Sequence, residues 1–257
     1  MTIALIYHDI AARGEEDRYG FPGAAAARFK LDPGKFEAHL DAIAAAGVTV
    51  GSIAQQASTA LTFDDGGASL SRVAAAIERR GWLGHFFIVT GRVGTAGFLS
   101  ADEVRELARR GHEVGSHSHS HPTYMGTLTA PELAREWRSS RDALGEILGE
   151  APDTAAVPGG FVSGAVIDEA ARAGYRLLLT SQPVRRPSWH DGLLVHGRFT
   201  IWSATTPTRA AAYARGDWLA CASLWLAWHS KTAPKRVSPA AYEAVRQRWA
   251  QLRARPR

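Results

Sequence analysis

The chain of 257 residues lacks several features that would assign it to a special class of protein. Its one cysteine, Cys221, excludes a disulfide within the chain and favours a reducing compartment. No uncharged apolar run reaches the roughly 18 residues that a membrane-spanning helix needs. Internal repeats and low-complexity tracts are absent too, which argues against collagen-like, coiled-coil and disordered architectures. What remains, at 46% hydrophobic and 21% charged residues, is the composition of a globular protein.

The excess of positive charge is small and lies mostly at one end of the chain. The formal net charge is +5, and between residues 231 and 257 the basic residues accompany a single acidic one, Glu243. A solvated tail is the simplest interpretation, a weak peripheral contact with an acidic membrane surface is the alternative, and no nucleic-acid partner is expected. The first ten residues, MTIALIYHDI, have neither the basic nor the long apolar segment of a signal peptide, and we expect them to form a strand. A cytoplasmic location is therefore expected, with attachment to the inner face of the membrane as the alternative.

Apolar runs with the period of strands alternate about six times with segments that have the period of helices. Capping boxes, in which Glu follows Ser or Thr by three positions, begin two of these helices, at Ser100 with Glu103 and at Thr129 with Glu132. The alternation predicts an α/β fold with a parallel sheet beneath helices, either an open doubly wound sheet or a closed barrel. No glycine-rich phosphate-binding fingerprint follows the first strand, which argues against a nucleotide site. We expect one domain over residues 1–205 and a helical extension over residues 206–257 packed on it.

Two adjacent carboxylates, Asp64 and Asp65, follow a predicted strand in the segment ALTFDDGG, residues 60–67. The carboxyl ends of strands are where α/β folds place their functional side chains. Neighbouring carboxylates repel each other in a dry pocket unless a positive charge lies beside them, and a divalent cation would meet this need. One aspartate would bind the cation while the other stays free as a base. An ordinary turn is the alternative, because Asp and Gly both favour turns.

Three histidines alternate with serines in the segment GSHSHSHP, residues 115–122. In an extended chain the first and third imidazoles would be roughly 13 Å apart, too far to share one ion. Residues four apart in a helical turn approach to about 5–6 Å, so we expect a turn that brings His117 and His121 together while His119 points elsewhere. Ser116 is suited to begin such a turn. Two imidazoles and a carboxylate would leave coordination positions open for water and substrate, as in hydrolytic metal sites, and a polar surface loop is the alternative.

Together the two segments resemble the polysaccharide deacetylases of the NodB-homology type, carbohydrate esterase family four. That family is marked by a Thr-Phe-Asp-Asp-Gly segment, here residues 62–66, and by a His-[Ser/Thr]-x-x-His segment followed by Pro, here residues 117–122. The resemblance, which extends from residue 7 to about residue 202, implies a distorted (β/α)7-type barrel that hydrolyses the N-acetyl group of an amino sugar. It also implies that Asp64 is the general base and that one divalent metal ion, with Zn²⁺ as the expected ion, is bound by Asp65, His117 and His121.

The sequence departs from that family at a motif that often reads Arg-Pro-Pro-Tyr, whose arginine orients the base. The corresponding segment, AAVPGGF from residue 155, has no arginine and resembles a Pro-Gly-Gly form found among some exopolysaccharide and glycolipid deacetylases. Pro158, Gly159 and Gly160 are therefore assigned to the substrate site. Another cation would have to orient Asp64. Arg198, at the start of a late predicted strand, is our candidate, and an ordinary surface arginine is the alternative.

Five further side chains are assigned from the resemblance or from their positions. The family's general acid is a histidine in a Leu-x-Leu-Leu-His strand, and His196 in the segment LLVH is a partial match, with a structural histidine as the alternative. His8 directly follows the first predicted strand and is expected at the barrel mouth, where it lines the sugar site or caps the core. Trp189, Trp202 and Trp218 are candidates for stacking on sugar rings.

The resemblance thus predicts a metal-dependent hydrolase that removes an N-acetyl group from an amino sugar in a polysaccharide, an oligosaccharide or a lipid-linked glycan precursor. The expected partner is an N-acetylated glycan or glycolipid substrate. Two alternatives remain open: a carbohydrate-binding relic of the fold without catalysis, and a de-N-formylase or cyclic-amide hydrolase on the same scaffold. A free base at Asp64 beside the ligands favours catalysis over the relic.

Overall fold

The strands in the described part of the molecule form one sheet. The computed structural model describes residues 1–160 and 162–237, without the side chains of residues 231–237. Within that part of the chain the strands are β1 (Ile3–Tyr7), β2 (Thr59–Phe63), β3 (Gly84–Ile88), β4 (Glu113–Ser116), β5 (Thr154–Ala156), β6 (Leu177–Leu179), β7 (Ser188–His190), β8 (Leu193–His196) and β9 (Arg198–Thr200). Their order is β7-β8-β6-β5-β4-β3-β2-β1-β9, and all neighbouring pairs are parallel except β7 with β8.

Helices follow most of the parallel strands along the chain. They are α1 (Ala24–Ala27), α2 (Pro33–Ala44), α3 (Leu70–Glu78), α4 (Ala101–Arg109), α5 (Ala130–Leu148), α6 (Gly164–Arg172), α7 (Pro207–Ala214) and α8 (Trp218–Val237). The predicted capping boxes begin α4 and α5. At α4 the backbone N–H of Glu103 donates to Ser100 Oγ at 3.2 Å, and the N–H of Ser100 donates to the Glu103 carboxylate at 2.8 Å.

The parallel strands close into a barrel because one extended segment pairs on both of its sides. β8 pairs with β6, and β9 pairs with β1. Only Gly197 separates β8 from β9, and a Cβ atom there would collide with the carbonyl oxygen of Gln182, so a glycine is needed where the segment changes neighbour. Counting β8 and β9 as one, seven parallel strands surround the barrel in the described residues, which confirms the predicted distorted (β/α)7-type fold.

Alternate residues of each strand face the helices or the barrel interior. Leu5 and Phe63 face outward and belong to a large apolar cluster with Phe36 and Leu40 of α2. Inside the barrel, Ala4 of β1 and Ala60 of β2 belong to a second, smaller apolar cluster with Phe87 and Leu179. Because the carboxyl ends of the parallel strands meet at one mouth, the segments that follow β1, β2, β4 and β5 converge there.

Two helices lie in the described part, residues 206–237, of the extension predicted over residues 206–257. α7 packs against α2 and β1, and its Ala210 and Tyr213 join the large apolar cluster, as does Cys221 of α8. Residues 238–257, with most of the predicted basic tail, lie outside the described residues, and the domain boundary near residue 205 stays a prediction. In the part of the chain that the structure covers, no helix combines the length and apolar character needed to cross a bilayer.

Candidate active site

A buried arginine holds the first carboxylate of the Asp-Asp pair. Asp64 lies at the end of β2 and is 4% exposed, and fully buried Arg198 donates to both of its oxygens, from Nη1 to Oδ1 at 2.7 Å and from Nη2 to Oδ2 at 2.9 Å. Arg198 also donates to Thr62 Oγ1 at 2.9 Å and to the carbonyl oxygen of Thr180 at 3.2 Å, which fixes its orientation. The structure thus brings together the carboxylate and the cation that the sequence analysis paired.

The surroundings of Asp64 keep it ionised. Burial raises the pKa of this carboxyl, but the charge of Arg198 and its two hydrogen bonds to the carboxylate outweigh the effect, so the pKa lies below its ordinary value. Asp64 Oδ2 is 3.8 Å from His117 Nε2, on the cavity side. A carboxylate that is charged at neutral pH and oriented from behind can accept a proton from a molecule in the cavity.

Asp65 and two histidines converge on a point beside Asp64. Asp65 Oδ1 is 3.5 Å from His117 Nε2 and 3.4 Å from His121 Nε2. One ligand atom from each of the three residues lies within 4.8 Å of the other two. These are the three residues that the family resemblance assigned to a metal ion.

The donor set and its geometry fit a divalent metal ion. Ligand atoms bound tetrahedrally to Zn²⁺ at about 2.0–2.1 Å lie roughly 3.3 Å apart, close to the two distances measured from Asp65 Oδ1. This oxygen is buried and has no hydrogen-bond partner among the described residues, a costly arrangement that a bound cation would remove. Two imidazoles and one carboxylate also leave coordination positions open for water or substrate.

Hydrogen bonding prepares His117 to act as a ligand. Its Nδ1 lies 2.9 Å from the carbonyl oxygen of Ala156, which can only accept, so the proton sits on Nδ1 and the Nε2 lone pair faces Asp65. Burial lowers the pKa of His117 to about 4, which keeps the imidazole neutral. Burial also disfavours the charged form of His121, but the Asp65 carboxylate outweighs burial and the pKa of His121 is raised.

The loop that carries the histidines is not the helical turn predicted from the sequence, and that prediction is wrong. Residues 117–122 contain no helix. Instead, Ser118 and His121 take positive φ angles of 63° and 59°. The backbone N–H of Ser118 donates to Ser116 Oγ and the N–H of His121 donates to Ser118 Oγ, both at 3.1 Å. Two left-handed residues, rather than a helical repeat, therefore bring the two imidazoles together.

Glu136 of α5 fastens the same loop from outside. One of its carboxylate oxygens accepts the backbone N–H groups of His119 and Ser120 at 3.0 and 2.8 Å, and the other accepts the Ser120 hydroxyl at 2.6 Å. The His119 ring points away from the other two, as predicted, with Nδ1 3.0 Å from Thr90 Oγ1. No pattern along the chain relates Glu136 to the histidine segment, so the sequence does not predict this contact.

The carboxylates and histidines line a cavity of about 620 Å³, a size typical of ligand pockets. Its walls are largely apolar and aromatic. Phe29 lies between two cavity-lining rings, with its centroid 4.6 Å from that of Trp202 and 4.6 Å from that of His8. Trp202 is therefore placed where it could contact a sugar ring. The other two stacking candidates, Trp189 and Trp218, are not among the described residues that line this cavity.

A buried lysine holds a loop that forms one wall of the cavity. Lys30 Nζ donates to the backbone carbonyl oxygens of Glu16, Tyr19 and Phe21 at 2.6, 2.5 and 2.6 Å. The Phe21 ring packs against His121, with centroids 4.7 Å apart. The partners of Lys30 are backbone carbonyls, which leave no signature in the sequence, so its role is not predictable from the sequence.

The Pro-Gly-Gly segment after β5 forms another wall. Gly159 and Gly160 line the cavity with φ angles of 63° and 73°. A Cβ atom at Gly159 would be 2.5 Å from the carbonyl oxygen of Thr123, and one at Gly160 would collide with the Ser181 hydroxyl, so both positions require glycine. Pro158 is buried behind them and is not among the described residues on the cavity wall.

Of the two remaining predicted histidines, one lines the cavity and the other does not. His8 lines the cavity, near enough to Asp64 and Asp65 to interact electrostatically with both. His196 is 3% exposed, its Nδ1 lies 2.7 Å from the carbonyl oxygen of Gly197, and it interacts with the backbone that precedes β1. The structure does not bring His196 to the cavity, so its position fits a structural histidine and gives no support to a general acid.

A protein-family model matches the part of the chain that carries the site. A model described as polysaccharide deacetylase matches residues 40–178, which contain the Asp-Asp pair, the histidine loop and the Pro-Gly-Gly segment. The uncharacterized protein YlxY of Bacillus subtilis is 34% identical over 68 residues, or 26% of this chain. The match spans 21% of that relative.

Solved structures with a similar fold cover most of the chain. The deacetylase PplD of Streptococcus pyogenes, solved with acetate, matches 80% of this chain and 94% of its own, with 22% identity and a TM-score of 0.67. IcaB of Ammonifex degensii matches 83% and 97%, with 22% identity and a TM-score of 0.66. A polysaccharide deacetylase of Bacillus cereus matches 83% and 68%, with 21% identity and a TM-score of 0.70. At these identities the likeness concerns the fold.

Proposed function

Since the chain belongs to the polysaccharide deacetylase family, we propose that it is a metal-dependent hydrolase that removes an N-acetyl group from an amino sugar. The substrate would be a polysaccharide, an oligosaccharide or a lipid-linked glycan precursor. The observation that carries the proposal is the position of Asp64, an ionised carboxylate pinned by Arg198 and lying beside the ligand set in a cavity.

Asp65, His117 and His121 would hold the metal ion. A divalent ion bound there would act as a Lewis acid and lower the pKa of a bound water towards neutrality. The Nδ1–H bond of His117 to Ala156 and the Glu136 clamp on the histidine loop keep the imidazoles aimed at the site.

Asp64 would act as the general base. It accepts a proton from the attacking water as the oxygen adds to the acetamide carbonyl, and Arg198 holds the carboxylate in place while its charge changes. The amide C–N bond then breaks, acetate leaves and the amine takes up a proton. His8 is the donor we assign to that step, because it is a cavity-lining imidazole near both carboxylates and is not one of the ligands.

Replacing the base tests the proposal. In Asp64→Asn the carboxamide cannot take up the proton, so acetate release from N-acetylglucosamine oligomers should fall by roughly 10²–10⁴-fold. Asp64 is not in the ligand set, so the zinc content per chain, measured by mass spectrometry, should stay near that of the parent. Chelator should stop acetate release by the parent enzyme, and added Zn²⁺ should restore it.

Asp102→Asn is the matched control, since the Asp102 side chain is 92% exposed on α4 and far from the cavity, and it should retain full activity. Undiminished acetate release from Asp64→Asn would contradict the assignment of the base. If the enzyme released formate from N-formyl sugars but no acetate from N-acetyl sugars, the acyl group of the proposed substrate would change. The same residues would keep the same roles.

A further inference from the structure

The first half of α8 exposes large apolar side chains. Residues 218–230 read WLACASLWLAWHS and contain no Asp, Glu, Lys or Arg. We name the exposed set the α8 apolar face: Trp218, 71% exposed, Leu219, 71%, Trp225, 41%, and Leu226, 62%. Exposed apolar patches of this kind on soluble proteins mark interaction sites.

The exposed apolar side chains are not on the side of α8 that packs on the barrel. The opposite side of α8 is already buried, at Ala220 and Cys221, against the barrel. A helix of ordinary surface type would carry polar residues on its outer side, whereas this segment is apolar on both. An apolar partner for the outer side is therefore missing from the chain as described.

The same helix forms part of the wall of the active-site cavity. Leu224, Ala227 and Trp228 line it together with Asp64 and His121. One helix thus carries both the α8 apolar face and part of the cavity wall. Whatever covers the outer side of α8 lies next to the cavity.

Positive charge lies beside the α8 apolar face. Arg185 and Arg186 line a shallow surface depression together with Trp218 and Trp225, and no acidic side chain is among the described residues that line it. The nearby Asp217 is engaged at the start of α8, where its Oδ1 accepts the backbone N–H of Ala220 at 2.9 Å. The chain after the apolar segment, residues 231–257, holds a single acidic residue among its Lys and Arg.

We propose that the α8 apolar face, with Arg185 and Arg186 beside it, seats the protein on the surface of an anionic lipid bilayer. The apolar segment of 13 residues would be about 20 Å long, too short to span the hydrocarbon core, so it lies in the interface. Tryptophan and leucine enter the headgroup region while arginine meets lipid phosphates, which is the composition that such interfacial helices use.

The position of the cavity then defines the class of substrate. A cavity walled by an interfacial helix opens at the level of the headgroups, where a sugar attached to a membrane lipid would be presented. The membrane seating rests on the proposed deacetylase function and narrows its substrate to an N-acetylated amino sugar carried on a lipid anchor.

Vesicle co-sedimentation of the full-length chain tests the seating independently of catalysis. We expect binding to phosphatidylcholine vesicles that contain phosphatidylglycerol and much weaker binding to phosphatidylcholine alone. Removing two aromatic anchors in Trp218→Ser/Trp225→Ser should weaken binding to the anionic vesicles by about tenfold or more, given the apolar area each indole buries. Arg185→Gln/Arg186→Gln should reduce the preference for the anionic vesicles.

Trp189→Ser is the matched control, because Trp189 is 73% exposed on β7 and lies outside both cavities. It should bind vesicles as the parent does, and circular dichroism should show all variants folded. Unchanged vesicle binding by Trp218→Ser/Trp225→Ser would overturn the proposal, since the basic C-terminal segment would then account for it. So would a parent that ignores vesicles but forms a dimer that the double variant loses.

Activity separates this inference from the proposed function. Trp218→Ser/Trp225→Ser should deacetylate water-soluble N-acetylglucosamine oligomers at the parental rate but lose at least tenfold in rate on an N-acetylglucosaminyl lipid embedded in vesicles. Equal losses on both substrates would refute the membrane seating and leave the deacetylase standing. Vesicle binding by a parent that releases no acetate from either substrate would refute the deacetylase instead.

Discussion

Replacing Arg198 by Met should destabilise the protein chiefly by leaving Asp64 charged, buried and unpaired. Arg198 is fully buried and Asp64 is 4% exposed, and two hydrogen bonds of 2.7 and 2.9 Å join them. Removing one partner of a buried ion pair costs about 3–5 kcal/mol, because the remaining charge has lost its compensation. Methionine fills much of the arginine stem's volume, so a cavity contributes little.

The loss of unfolding free energy in Arg198→Met should depend on pH, and the protonation of Asp64 sets the direction of that dependence. Burial raises its pKa but Arg198 overcomes burial, so in the parent protein the folded-state pKa is depressed. The pair therefore contributes its stability above the unfolded pKa, and that stability is lost as the pH falls through the folded pKa. Without Arg198, burial is unopposed and the carboxyl binds a proton at a higher pH. The destabilisation should be largest at pH 7 and smaller at pH 5.

Urea unfolding followed by circular dichroism, in chelator so that metal does not contribute, measures these free energies. A cycle of Arg198→Met, Asp64→Asn and the double variant should give a coupling energy of about 2 kcal/mol or more at pH 7. Arg105→Met, at a side chain 51% exposed, should stay within about 0.5 kcal/mol of the parent. A loss for Arg198→Met that is equal at both pH values, with coupling below about 0.5 kcal/mol, would refute the reasoning.

Two further changes test the supports of the site, and a third tests Asp9, a buried carboxyl after β1 that accepts a hydrogen bond from the Ser69 hydroxyl at 2.6 Å. Glu136→Ala removes the acceptor of two loop N–H groups and should weaken Zn²⁺ binding by about 10–100-fold in chelator competition, whereas Glu146→Ala on the same helix should not. Lys30→Met leaves the backbone carbonyl oxygens of Glu16, Tyr19 and Phe21 without their donor. KM should therefore rise more than kcat falls, and the free energy of unfolding should decrease by about 1–3 kcal/mol. An unchanged KM would contradict this. Burial raises the pKa of Asp9 to about 6, so its contribution to stability falls as the pH rises from about 4 to 6. Asp9→Asn should abolish that fall, of about 3 kcal/mol at most, when the two proteins' unfolding free energies are compared across pH.

A contact or a residue's position can be predicted from the sequence where it depends on neighbours along the chain or on the end of a strand. The capping boxes are reciprocal contacts between residues three apart, so the pattern itself contains the interaction. Asp64 and Asp65 follow β2, and His117 follows β4, and the carboxyl ends of parallel strands must meet at one mouth. Arg198 follows instead from the family resemblance: the family's motif supplies an arginine that orients the base, the corresponding segment here has none, and a late predicted strand offers another cation.

The failures concern contacts that the local pattern does not contain. His196 matched part of a motif, but its ring lies against the carbonyl oxygen of Gly197 and the backbone of Thr2, and it is not among the described residues that line the cavity. Glu136 and Lys30 act on backbone groups, which every residue carries, so no sequence signal singles them out. The role of α8 as a cavity wall depends on how a helix beyond the recognised motifs packs across the barrel.

Backbone strain is concentrated at the ligand set. Non-glycine residues with positive φ in the described chain are Gln56, Asp65, Ser118, His121 and Asp191, and three of these five carry or adjoin a predicted ligand. Such conformations cost on the order of 1–3 kcal/mol each and persist only where the surroundings enforce them. Glycine at position 118 would relieve the strain but would remove the hydroxyl that accepts the N–H of His121. The loop thus keeps a strained conformation that aims two imidazoles at an unpartnered oxygen, and an ion bound there would stabilise the folded chain by a free energy that grows with the logarithm of its affinity.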